Sequence, residues 1–204
     1  MAGRRRGRPP QSNSSDTREL IMRTAREVFS ERGYERTTFR EIAERIGLTR
    51  PAVNHYFPDK ESLYQALFGS ARDVVVQAAV ARAGEQETLA GQLAAFLDAA
   101  TQVDSKDRSF AKFMAASVLD GFRHPQLQDS ARRQIDEVRE FLRQALTAAV
   151  DRGEIPADID LPAVVEMLIA VLWGMGLYAG FLGTHDQLES VVAVLSRLVA
   201  GALW

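Results

Sequence analysis

The 204-residue sequence predicts an all-α protein of about nine helices: an N-terminal three-helix unit followed by a larger helical unit. Three observations predict it. Apolar residues recur at the i, i+3, i+4 spacing of one helix face from Leu20 almost to the C-terminus. Residues that cap helix starts, and the glycines and prolines that end helices, fall between those stretches. Alternating apolar and polar runs, which would mark strands, are scarce.

Residues 1–15 read as a disordered basic arm, small and polar, with Pro9-Pro10 and a Ser/Asn cluster. Asp16 is placed to cap the first helix, with Glu19 as its capping-box partner. Leu20, Ile21, Ala25, Val28 and Phe29 form its apolar face, and Gly33 is expected to end it. Thr38 and Glu41 make a second capping box, opening a short helix that stops at Gly47. Thr49 caps a third helix, with Pro51 in its first turn, where a missing N–H costs nothing. Asp59 caps a fourth helix, Lys60 to about Arg82, with Leu63, Leu67, Ala71, Val74 and Ala78 on one face. Further helices are expected from Leu89 to Val103, Phe110 to Gly121, Pro125 to Arg152, Leu161 to Leu182 and Gln187 to Leu203.

A hydrophobic content of 46% is that of a globular chain. The absence of cysteine excludes a disulfide framework and thiolate metal sites. The three histidines are far apart and show no ligand spacing, so neither a metal nor a cofactor is expected. Paired carboxylates, a nucleophile elbow and a phosphate loop are not evident, so no catalytic residue is assigned. No signal segment and no uncharged apolar run of membrane-spanning length is read, and a cytoplasmic protein is expected. The net charge of −2 is unevenly spread: residues 1–60 carry +5 and residues 61–204 carry −7. A basic front suits a polyanionic partner, although such a split also arises by chance.

Residues 38–57 meet the demands of a helix-turn-helix. Ala43 is small where two helices must touch. Gly47 tolerates positive φ in the turn. Ile42, Ile46, Leu48, Val53 and Tyr56 fill the angle between the helices. The second helix opens with an exposed polar turn, Thr49 and Arg50, with Pro51 and Ala52 beside them and Asn54 and His55 following. Contacts to double-stranded DNA are therefore expected from Thr38, Arg40, Arg45, Thr49, Arg50, Pro51, Ala52, Asn54, His55, Tyr56 and Lys60. The plainer alternatives are that the threonines only cap and the arginines only face water. In the arm, Arg4, Arg5, Arg6 and Arg8 surround an Arg-Gly-Arg-Pro core similar to a minor-groove AT-hook; a non-specific basic tail is the other reading.

These residues also carry a resemblance. Gly33-Tyr34, Thr37-Thr38, Ile42-Ala43, Gly47-Leu48-Thr49, Val53, Tyr56-Phe57-Pro58 and Lys60-Glu61-Ser62-Leu63, with Ala25 and Phe29, resemble the N-terminal domain of TetR-family regulators over residues 17–68. Asn54 departs from the aromatic residue usual there, and Pro51 from a small one. The resemblance implies a DNA-binding domain over residues 16–62 and a ligand-binding and dimerisation domain over residues 63–204. It implies a homodimer through the last two helices, a near-palindromic operator, and repression relieved by a small-molecule effector. Phe110, Phe113, Met114, Phe141, Met167, Trp173 and Tyr178 supply bulk for an apolar or aromatic effector, although each also suits plain core packing. Gly174, Gly176 and Gly180 would allow close helix approach. A ligand-independent DNA-binding protein, and a carrier or enzyme with an incidental helix-turn-helix, are the competing readings.

Overall fold

The structure is a computed structural model and describes residues 12–201. Among those residues there is no strand. The helices are α1 (Ser12–Arg36), α2 (Phe39–Arg45), α3 (Arg50–Tyr56), α4 (Lys60–Ala71), α5 (Ala78–Gly84), α6 (Leu89–Lys106), α7 (Ser109–Arg123), α8 (Pro125–Asp151), α9 (Leu161–Leu177) and α10 (His185–Val199). A π-helical stretch, Arg72–Gln77, joins α4 to α5, and a second, Tyr178–Leu182, ends α9. Counting each joined pair as one rod, the described chain forms nine, as the periodicity predicts.

The local signals mostly act where they stand in the sequence. Thr38 Oγ1 accepts from Glu41 N–H at 3.2 Å and Thr49 Oγ1 from Ala52 N–H at 3.3 Å. Asp59 and Ser62 cap α4 reciprocally, with Ser62 N–H donating to Asp59 Oδ1 at 2.7 Å. The second capping box is only half made, because the Glu41 carboxylate pairs with Arg45 and Arg32.

Three expectations need correction. The first helix does not begin at Asp16. Ser12 to Ser15 are already helical, so Asp16 lies inside α1, its carboxylate accepting from Ser15 Oγ at 3.5 Å. The remaining arm residues, with Arg4, Arg5, Arg6 and Arg8, lie outside the described residues. Gly33 takes the positive φ expected of it, +74°, but kinks the helix, and a last turn continues to Arg36. The face drawn through Leu63, Leu67, Ala71, Val74 and Ala78 also breaks. The first three are buried, whereas Val74 and Ala78 are exposed and Val76, Ala79 and Ala83 are buried instead. The π-helical turn adds a residue to the repeat and moves the inward face by one position.

The main core lies between α1, α4, α7 and α8. Tyr64, Phe29 and Phe113 are its largest fully buried side chains, with the Phe29 and Tyr64 rings edge to face at 4.7 Å. Gly180 permits the close approach expected of it: a Cβ there would stand 3.0 Å from Lys112 Cα on α7. Gly174 and Gly176 face open space and make no such contact. Leu161–Leu182 is long and apolar enough to cross a membrane, contrary to the sequence reading, yet only 22% of its most apolar stretch is buried within the chain.

Candidate nucleic-acid interface and effector cavity

The turn between α2 and α3 is built from a small residue and a glycine. Ala43 is buried at the crossing, Leu48 N–H donates to its carbonyl at 2.9 Å, and Gly47 turns the chain at φ +66°. Val53 and Phe57 anchor α3 in the core. That leaves Thr49, Arg50, Pro51, Asn54 and His55 exposed on its outer face, with Ala52 and Tyr56 half-buried beside them. The Asn54 amide donates to the Pro58 carbonyl at 3.2 Å, leaving its oxygen outward as an acceptor. The His55 ring meets Tyr56 edge-on at 5.3 Å. Among the described residues no carboxylate pairs with Arg50.

The other basic candidates are already engaged. Arg45 pairs with Glu31 at 2.7 Å and Glu41 at 3.1 Å, and its hydrogen bond to Glu31 holds that carboxyl below its usual range. Arg40 pairs with Glu44 at 2.8 Å. Lys60 turns inward: its Nζ donates to the carbonyls of Tyr34 and Glu35 at 2.8 and 3.0 Å and lies 4.5 Å from the Tyr34 ring centre. It satisfies carbonyls that the end of α1 would otherwise leave bare.

Two buried polar clusters fasten this unit to α7, and neither is legible in the sequence. The Asp120 carboxylate accepts from Tyr34 N–H at 3.1 Å and from the Tyr64 hydroxyl at 2.8 Å. Arg26, almost wholly buried, donates to Ser109 Oγ at 2.9 Å and Asp107 Oδ2 at 2.8 Å, and its guanidinium lies 3.8 Å from the Phe110 ring centre. Burial pushes the Asp107 carboxyl up, but the Ser109 hydrogen bonds and Arg26 outweigh it and hold it below its usual range.

A cavity of about 140 Å³ opens between the π-helical stretch Arg72–Gln77, α6, α7 and α9. Of the expected pocket residues, Phe110, Met114 and Trp173 line it. Phe113 does not, because its ring is buried against Tyr64 and Phe68 in the core. Phe141 stacks on Phe96 at 5.3 Å instead of facing the cavity. Met167 points outward, 55% exposed. Tyr178 lies in the π-helical turn against Gly183. The walls missed by the sequence reading include Val75 and Val76, which the π-helical shift turns inward, and Phe96.

An exposed recognition helix set on a larger α-helical body defines a helix-turn-helix transcriptional regulator. Residues 21–67 match the family described as bacterial regulatory proteins, tetR family, and residues 84–195 match the Tetracyclin repressor-like C-terminal domain. The chain belongs to the TetR family. It is 27% identical over 195 residues to the HTH-type transcriptional regulator SrpR of Pseudomonas putida, covering 95% of this chain and 86% of that one. It is 28% identical over 196 residues to the HTH-type transcriptional repressor AcnR of Corynebacterium glutamicum, covering 93% of each. In fold it is similar to a TetR transcriptional regulator from Chloroflexus aurantiacus, with TM-score 0.74 and 24% identity over 93% of this chain and 97% of that chain. Salmonella enterica GusR gives TM-score 0.72 at 22% identity, over 95% of this chain and 98% of that one. The relatives are transcriptional regulators, not enzymes.

Proposed function

We propose that this DNA-binding regulator works as a cytoplasmic homodimer, binds a near-palindromic operator and is released from it by an apolar effector. On this reading residues 16–62 form the DNA-binding domain, and residues 63–204 hold the effector and the dimer contact. The observation that carries the reading is the outer face of α3, where Thr49, Arg50, Pro51, Asn54 and His55 are exposed while Val53 is fully buried. A side chain with no ion pair among the described residues, such as Arg50, is available for a guanine edge or a phosphate. Ala52 and Tyr56 flank that face, and Thr38 at the start of α2 joins it as a phosphate contact. Arg40, Arg45 and Lys60 serve the domain's own structure first.

Two such helices must enter successive major grooves roughly 34–36 Å apart, which needs a second copy of the chain. The apolar faces of α9 and α10 supply its docking surface, since Met167, Val194 and Leu198 are more than half exposed. The cavity suits an apolar effector, because its walls are almost wholly hydrocarbon. It lies against the rod formed by α4 and α5, whose N-terminal end follows directly on α3. A ligand that shifts that rod changes the separation of the two recognition helices, and a coupling of about 1–3 kcal/mol lowers operator affinity roughly 5–150-fold. A binding footprint on genomic DNA tests the reading: it should show one palindromic site preferred over bulk DNA, with Arg50→Ala weakening that preference. Equal affinity for all sequences would overturn it.

A further inference from the structure

We propose that the effector is an amphipathic monocarboxylate, whose hydrocarbon part fills the apolar cavity and whose carboxylate sits in a polar cleft between α4 and α8. This rests on the reading of the cavity as the effector site. The cavity alone offers almost nothing to orient a ligand. Thr101 carries the hydroxyl on its wall, and that group already donates to the Leu97 carbonyl at 2.9 Å.

A second hollow, of about 130 Å³, is far more polar. It is lined by Gln65, Phe68, Gly69, Ser130, Arg133 and Gln134. Arg133 donates to Ser130 Oγ at 2.9 Å, and among the described residues no carboxylate pairs with it. Further along the same helix Arg139 pairs with Glu166 and Asp136, and Arg143 with Glu140, whereas Arg132, like Arg133, has no carboxylate partner among the described residues. Gly69 opens the α4 side, since a Cβ there would meet nothing within 4 Å. The Gln65 amide is held by Glu61 at 3.0 Å, which leaves Arg133, Ser130 and Gln134 as the donors for an anion.

Gln134 joins the two spaces. It is only 3% exposed, yet its amide nitrogen donates to the Met114 thioether, a weak acceptor, and Met114 is part of the apolar cavity wall. A buried carboxamide spending one of its two N–H donors on sulfur gains by turning it to a carboxylate oxygen. Met114, flexible and unbranched, is the side chain best able to move aside and connect the spaces. A carboxylate bridging the cleft would also tie α4 to α8, placing the charged end of the effector on the helix that leads to the DNA-binding domain.

The test uses the full-length protein carrying Trp204→Phe, so that the remaining tryptophan, Trp173 in the cavity wall, reports occupancy by its fluorescence. Octanoate and 1-octanol are titrated as matched probes. Both should change the emission, with octanoate binding about tenfold tighter, as expected for charge-assisted hydrogen bonds in a partly buried site. Arg133→Ala should remove that advantage and leave octanol unchanged, and Arg133→Lys should restore part of it. Equal binding of the two probes, or an octanoate advantage that survives Arg133→Ala, overturns the carboxylate site while leaving the cavity as the effector site. If neither probe alters the Trp173 signal, the cavity reading fails as well.

Discussion

The Tyr64 hydroxyl on α4 donates to the Asp120 carboxylate on α7 at 2.8 Å, and both side chains are buried. The same carboxylate oxygen takes the N–H of Tyr34, just past the Gly33 kink in α1. One acidic group therefore holds three helices at the junction between the DNA-binding domain and the rest of the chain. Tyr64→Phe removes one of its two donors and should cost about 1.5–3 kcal/mol, since the bond is to a charged acceptor. Asp120→Ala should cost more, because it leaves two buried donors unmet, and Asp120→Asn less, because an acceptor remains. Urea unfolding at one fixed protein concentration measures all three, the concentration mattering because a dimer is stabilised by mass action.

Burial, and then the adjacent Asp120 carboxylate, push the Tyr64 phenol far above its usual value of 10.0. The folded protein therefore keeps a proton that the unfolded chain releases near pH 10. The stabilisation is fully present below pH 10 and is lost as pH rises above it, at up to about 1.4 kcal/mol per pH unit for this one group. Unfolding midpoints measured from pH 9 to pH 11 should fall more steeply for the natural chain than for Tyr64→Phe. Equal slopes would show that the phenol ionises without unfolding.

What was legible in the sequence was local. The caps at Thr38, Thr49 and Asp59 and the positive φ at Gly33 and Gly47 are fixed by residues within three or four positions, so the pattern reveals them. What was not legible depends on distant partners. Arg45 reads as a free cation until Glu31, 14 residues back, is folded against it, and Asp120 meets Tyr34 across 86 residues. The π-helical turn is hidden for another reason: Val74, Val75 and Val76 are equally apolar, so composition cannot say which of them faces inward. That ambiguity also hid the Val75 and Val76 wall of the cavity.

Lys60 and Arg50 should separate cleanly in DNA binding. Lys60 holds the Tyr34 and Glu35 carbonyls, so Lys60→Met should destabilise the fold by about 1–2 kcal/mol and leave the salt dependence of DNA binding nearly unchanged. Arg50→Ala should leave stability unchanged. It should cost about 1–3 kcal/mol of operator affinity if it reads a base, or lower the salt slope by about one if it meets a phosphate. Operator titrations at several salt concentrations, set beside thermal unfolding, distinguish the two residues.

The π-helical turn should tolerate loss of a residue where an α-helix would not. Deleting Val74, which is exposed, lets Arg72–Gln77 relax to α-helical geometry and brings Val76, Ala79 and Ala83 into one continuous register with Leu63, Leu67 and Ala71. The expected result is a folded protein with unchanged far-ultraviolet circular dichroism and a melting temperature equal to or above that of the natural chain. Deleting Tyr64, which lies in regular helix and is fully buried, should by contrast rotate the apolar face out of the core and prevent folding.

Of the 17 residues of α9 only Val165 and Ile169 are buried, and of the 15 of α10 only Leu188 and Val192. Leu198 is 53% exposed on an α10 surface that also carries Val194. Burying such side chains against a second copy stabilises the pair by about 25 cal/mol per Å² of apolar area removed from water. A carboxylate set into the same contact would have to be stripped of water without a partner, at a cost of several kcal/mol per chain. Leu198→Asp should therefore sediment as a monomer where the natural chain sediments as a dimer. Because α3 lies far away in sequence and its caps are local, the variant should keep its fold and its weak non-specific affinity for DNA. It should lose the preference for a palindrome, which needs both recognition helices at once.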